Sequence, residues 1–168
     1  WAEEQSILLL LLVAFVGYSV YWHGSTIDGG DTSDYQAAAQ AIGAGWHEIL
    51  DRVPGYPLIP PPPGAAPRAP PVLFFLQLAS HLLAVLLVVR TARRLAVRDS
   101  LRMVLAVMLL LPPVVIHAIT IGTEGTAELL LVAIIWLFVR WQDDRINHQL
   151  VAIGLLAGAA AWVRPTFT

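Results

Sequence analysis

The sequence predicts an all-α, polytopic transmembrane helix bundle of about five spans, and three observations carry that expectation. The chain is 57% hydrophobic and only 13% charged. Its mean hydropathy of +0.68 lies well above what a soluble domain carries. Its apolar residues gather into runs at about residues 7–22, 72–89, 103–121, 127–141 and 150–163, and a hydrocarbon core of about 30 Å asks for about 17–25 residues per helix.

The first run follows Trp1-Ala2-Glu3-Glu4, which is acidic where a secretory signal is basic, and no small-residue cleavage pattern follows Trp22. It is therefore expected to stay as a span. Residues 23–71 form a long loop. Within it, Thr32 or Ser33 can cap a helix, Asp34 sits in the first turn where the helix dipole favours an acid, and Tyr35, Ala38, Ala39, Ile42 and Trp46 follow at helical spacing. Such a helix lies in the membrane interface, anchored by Trp46. From Pro54 to Pro71 the chain places nine of its twelve prolines, which predicts an extended, stiff connector into the second span.

The second and third spans are joined by a loop carrying Arg90, Arg93, Arg94, Arg98 and Arg102 against one acid, Asp99. A short basic loop marks the cytoplasmic side. The N-terminus and the 140–148 loop then share that side, and residues 23–71, the 120–126 turn and the Arg164 end face outward. A kink is expected in the third span at Pro112-Pro113. The fourth and fifth runs are short, which suits shallow or tilted helices supported by neighbours. The chain begins without Met and ends just where the fifth run emerges, so we read residues 1–168 as the N-terminal part of one transmembrane domain of a longer protein.

All ten basic residues are Arg and the net charge is -2, so no nucleic-acid surface is expected. The absence of Cys excludes disulfides and thiol chemistry. The five His lack metal-ligand spacing, there is no Gly-rich phosphate loop, and no Ser lies in a nucleophile motif. The cofactor stays open, with a divalent metal as one option.

The polar residues that interrupt this pattern are the candidates for chemistry. Asp31 stands in a Gly-flanked turn before the loop helix, where it serves either as a general base or as a helix cap; Asp34 has the same two readings. Arg52, stiffened by Val53-Pro54-Gly55-Tyr56-Pro57, has a guanidinium suited to bidentate phosphate binding, or to a headgroup or a salt bridge with Glu48 or Asp51. Glu124 and Glu128 lie one turn apart at the mouth of the fourth span. Glu128 sits further in, where a charge costs about 2 kcal/mol or more and usually faces a cavity. Arg164 either snorkels to headgroups or binds a ligand. Gln77, Ser80, His81 and His117 are explained by hydrogen bonding between helices.

The order of these parts resembles the polyprenyl-phosphate-dependent membrane glycosyltransferases of GT-C fold, in particular bacterial relatives of protein mannosyltransferases and aminoarabinose transferases. The residues that carry the resemblance are Gly30-Asp31 with Asp34-Tyr35 after a first span, then Arg52-Val53-Pro54-Gly55-Tyr56-Pro57, Thr123-Glu124 opening the fourth span, and Trp162-Val163-Arg164-Pro165 closing the fifth. The four-proline run at 60–63 departs from the family, which continues straight into a span there.

The resemblance implies that Asp31 is the base on an acceptor hydroxyl, with Asp34 beside it. Tyr35, Arg52, Tyr56, Glu124 and Arg164 would bind substrate. The expected partners are a polyprenyl-phosphate sugar donor, the lipid bilayer, and a glycan, lipid or protein acceptor. The implied setting is a bacterial inner membrane with the active face outward. The alternative is a non-catalytic transporter or lipid-binding protein, whose discontinuous helices and charges belong at the bilayer midplane.

Overall fold

A computed structural model describes residues 2–23, 71–120 and 124–163. These residues form the helices α1 (Ala2–Trp22), α2 (Pro71–Arg94), α3 (Asp99–Leu109), α4 (Pro112–Ile119), α5 (Glu124–Asp144) and α6 (Asn147–Val163). The chain is an all-α bundle in which α1, α2 and α5 are long and apolar enough to cross a membrane. The expected loop helix over 32–46 and the proline connector up to Pro70 lie outside the described residues.

The expected count of about five spans comes down to three, or four if the bent pair α3–α4 is one span, while the expected kink in the third run is present. Residues 103–121 do not form one straight helix: α3 and α4 meet at a 55° bend, so the pair makes at most one broken span. The cause is the expected one, because Pro112 and Pro113 lack the N–H groups that would carry the ladder forward. The fourth run is longer than its apolar stretch suggests, since α5 takes in polar residues at both ends and spans 21 residues. The fifth, α6, has 17 residues and stays short.

The central helix is α2, which packs against α1, α3, α4 and α5, while α6 packs on α5. Phe74, Leu78 and Val85 on α2 are fully buried, and Ile7 and Leu11 of α1, Ala106 of α3, and Val115 and Ile119 of α4 complete the core around them. By contrast α1 leaves Leu9, Leu12, Val13 and Val20 exposed. In lipid that costs nothing, since the tails are as apolar as leucine. Helices there are held by close packing and hydrogen bonds rather than by the hydrophobic effect.

The end of α2 shows how the chain turns. Ala96 takes φ 56°, with its N–H donating to Arg93 O at 3.1 Å and that of Val97 to Ala92 O at 3.0 Å. This is a Schellman cap with alanine where glycine is usual. The buried Arg102 braces the same turn, donating to Val97 O and to Asp99 Oδ1, both at 2.7 Å.

Ion pairs gather the charged ends of the helices. Glu4 at the start of α1 meets Arg90 at 3.4 Å and Arg93 at 3.6 Å, and Arg94 meets Asp143 at 2.7 Å. Exposed pairs of this kind stabilise little, about 0–1 kcal/mol each, but they report register. They bring the start of α1, the α2–α3 turn and the α5–α6 turn to one end of the bundle. Trp22, Pro71 and the start of α5 are therefore at the other end.

Candidate functional site

The bend between α3 and α4 sets the chemistry of the bundle's interior. In a continuous helix each carbonyl accepts from the N–H four residues on. Pro113 has none to give to Leu109 O, and the N–H of Val114 turns back to Leu111 O at 3.0 Å, which releases Leu110 O as well. A carbonyl left without a donor away from water costs several kcal/mol. Both are satisfied from other helices: His81 Nε2 of α2 lies 3.0 Å from Leu109 O, and Tyr18 of α1 donates its hydroxyl to Leu110 O at 2.7 Å. At the far end of α4, Gln77 Nε2 donates to Thr120 O at 2.9 Å.

The other ring nitrogen of His81, Nδ1, lies 3.0 Å from Glu128 Oε2 on α5. The His81 side chain is wholly buried, whereas that of Glu128 is 33% exposed. A carbonyl can only accept, so Nε2 carries a hydrogen. A polar chain thus runs from α5 through α2 to the break in the third span, near the middle of α2. Glu128, expected to face a cavity, instead meets His81 and does not line the cavity described below. Of the residues expected to bond between helices, Gln77 and His81 do so; Ser80 is half-buried and outside this chain, and His117 is exposed on α4.

Beside the break, an apolar cavity of about 510 Å³ is lined by Ala14, Gly17, Tyr18, Tyr21 and Trp22 of α1 and by Pro112 and Ile116 of α4. It lies toward the end where α1 finishes and α5 begins. Gly125 shapes the same end. A Cβ there would stand 2.7 Å from Ala118 O, so only glycine lets α5 start against the last turn of α4.

Glu124 is the first residue of α5, as its expected place at the mouth of the fourth span requires. Its side chain lies outside the description, as do Asp31, Asp34, Tyr35, Arg52, Tyr56 and Arg164. The segments that carry these residues join the described helices at one end: residues 24–70 run from α1 to α2, and residue 164 follows α6. Among the described residues no three His, Asp or Glu side chains gather as metal ligands. Tyr18 was not singled out from the sequence; the available signal is a phenol in an apolar span, whose hydroxyl needs a partner.

No family model, curated protein or solved structure matches the chain.

Proposed function

We propose that the chain is the N-terminal part of a glycosyltransferase that moves a sugar, with inversion, from a polyprenyl phosphate to an acceptor hydroxyl at the outer face of a bacterial inner membrane. The observation that supports this most is two-endedness. The Arg-rich turn and its ion pairs occupy one end, and the segments holding Asp31, Asp34, Tyr35, Arg52, Tyr56, Glu124 and Arg164 are tied to the other. By the basic-loop rule that other end faces outward. The apolar cavity at the same end suits a lipid-linked donor.

In this scheme the donor's tail stays in lipid, and Arg52 and Arg164 hold its phosphate by forked hydrogen bonds. The Asp31 carboxylate takes the proton from the acceptor hydroxyl as its oxygen bonds to the anomeric carbon. The bond from that carbon to the phosphate oxygen breaks, and the phosphate leaves with the electron pair. Asp31→Asn in the full-length protein tests it. Asn still caps a helix but is no base, so transfer should fall by about 10² to 10⁴ while donor binding and folding persist. Transfer near the parent rate would reduce Asp31 to a cap.

A transporter is the second reading, and one observation favours it: a discontinuous span beside an ionisable pair near the middle of α2. Under that reading Asp31→Asn leaves function intact and Glu128→Gln abolishes it.

A further inference from the structure

The contact between His81 and Glu128 fixes a proton count. Because Nε2–H is committed to Leu109 O, Nδ1 faces Glu128 Oε2 across 3.0 Å either as a lone pair or as a donor. A lone pair against a carboxylate would set two acceptors face to face, and the sealed Nδ1 would have no donor within reach. One proton between them removes the conflict, whether it rides on the imidazole or on the carboxyl. With it the pair is neutral overall. Without it the pair carries one negative charge inside a span, where an uncompensated charge is expensive.

No other described group supplies a compensating charge. From α1 the nearest titratable group is Tyr18, whose hydroxyl serves Leu110 O. Asp99 and Arg102 of α3 are paired with each other at the far end, and His117 of α4 is exposed. On α2 itself, Arg90, Arg93 and Arg94 engage Glu4 and Asp143 at that far end. On α5, Glu124 stands one turn from Glu128 and is an acid as well, and Arg140, Asp143 and Asp144 belong to the charged end, as does the exposed His148 at the start of α6.

We propose that His81 and Glu128 form an intramembrane proton-binding site, and that the single proton they share is what keeps α5, α2 and the broken third span docked on one another. The ring is the joint between all three, since one nitrogen holds α5 and the other holds the last carbonyl of α3. His81 is sealed, so the proton exchanges through the partly exposed carboxyl of Glu128. This holds whether the protein is a transferase or a transporter.

Glu128→Gln separates the site from simple packing. The amide donates N–H to the Nδ1 lone pair, so the clasp survives with no proton to lose. The chain is compared in zwitterionic nanodiscs from neutral to strongly alkaline pH, by thermal unfolding and by nitrogen-15 NMR of the histidine side chains. In the parent, Nε2 of His81 should read as protonated at neutral pH. On alkalinisation the Nδ1 signal should move and Tm should drop by roughly 5 °C or more. The Glu128→Gln protein should hold its Tm over the same interval. An unprotonated Nε2, an Nδ1 signal that stays fixed until unfolding, or the same alkaline drop in Glu128→Gln would each overturn the proposal. The NMR arm needs only the parent, so the test survives a variant that does not fold.

Discussion

Gly125 and Gly158 show at single-residue scale how differently the same substitution acts in this bundle. A Cβ on Gly125 would meet the backbone carbonyl of Ala118 at 2.7 Å, and a backbone atom in a packed turn has little room to move. Gly158 on α6 has nothing within 4 Å. Gly125→Ala should therefore destabilise by about 1–3 kcal/mol, the range of overpacked cores. Gly158→Ala should be neutral, or stabilising by up to about 1 kcal/mol through helix propensity. Unfolding of the two variants in detergent, followed by circular dichroism, checks the contrast, and equal effects would mean that α5 does not rest on α4 as described. The loss at Gly125 would also move Glu124, the neighbouring candidate for substrate binding.

At the scale of elements, the break between α3 and α4 is satisfied rather than left open. Two prolines open it: Met108 O accepts from the N–H of Leu111 within the turn, and the two carbonyls left over, Leu109 O and Leu110 O, meet His81 and Tyr18 from different helices. Replacing both Pro112 and Pro113 by Ala returns N–H groups to Met108 O and Leu109 O and lets α3 run on into α4. The 55° bend should then open. Spin labels on the exposed positions Val104 and His117 would report it as a longer distance in the double variant; an unchanged distance would show that His81 and Tyr18 hold the bend without the prolines. Prolines in membrane helices are tolerated because neighbours satisfy the freed groups, and here those neighbours can be named.

For the whole molecule, the described ion pairs make one end ionic and leave the other to the segments that carry the candidate site residues. The orientation expected from the Arg-rich turn, with that turn on the cytoplasmic side, can be tested directly. Single cysteines at Ser100, exposed beside that turn, and at Thr32 in the 24–70 segment should react with an impermeant thiol reagent from opposite sides of the membrane. Labelling of Ser100 from outside would reverse the topology and, with it, the face proposed for transfer. The same turn has a tertiary role that charge counting misses, since Arg102 is buried and bonded to Asp99 and Val97 rather than held out to headgroups.

The sequence by itself determined that the chain is a helical membrane bundle, roughly where its helices run, and that the third run bends at Pro112-Pro113. These are properties of a one-dimensional pattern measured against a bilayer of fixed thickness and of a residue without an N–H, so neighbours are not needed to read them. Span lengths were less legible: α5 outlasts its apolar run because polar residues continue a helix whose backbone is satisfied within itself. Only the tertiary structure decided the partners. His81 meets Glu128 across 47 positions and Tyr18 meets Leu110 across 92. Half of these partners are backbone carbonyls, which every residue has. A carbonyl freed by a break carries no mark in the sequence, and only the packing of α1 and α2 against α3 and α4 determines which side chain reaches it.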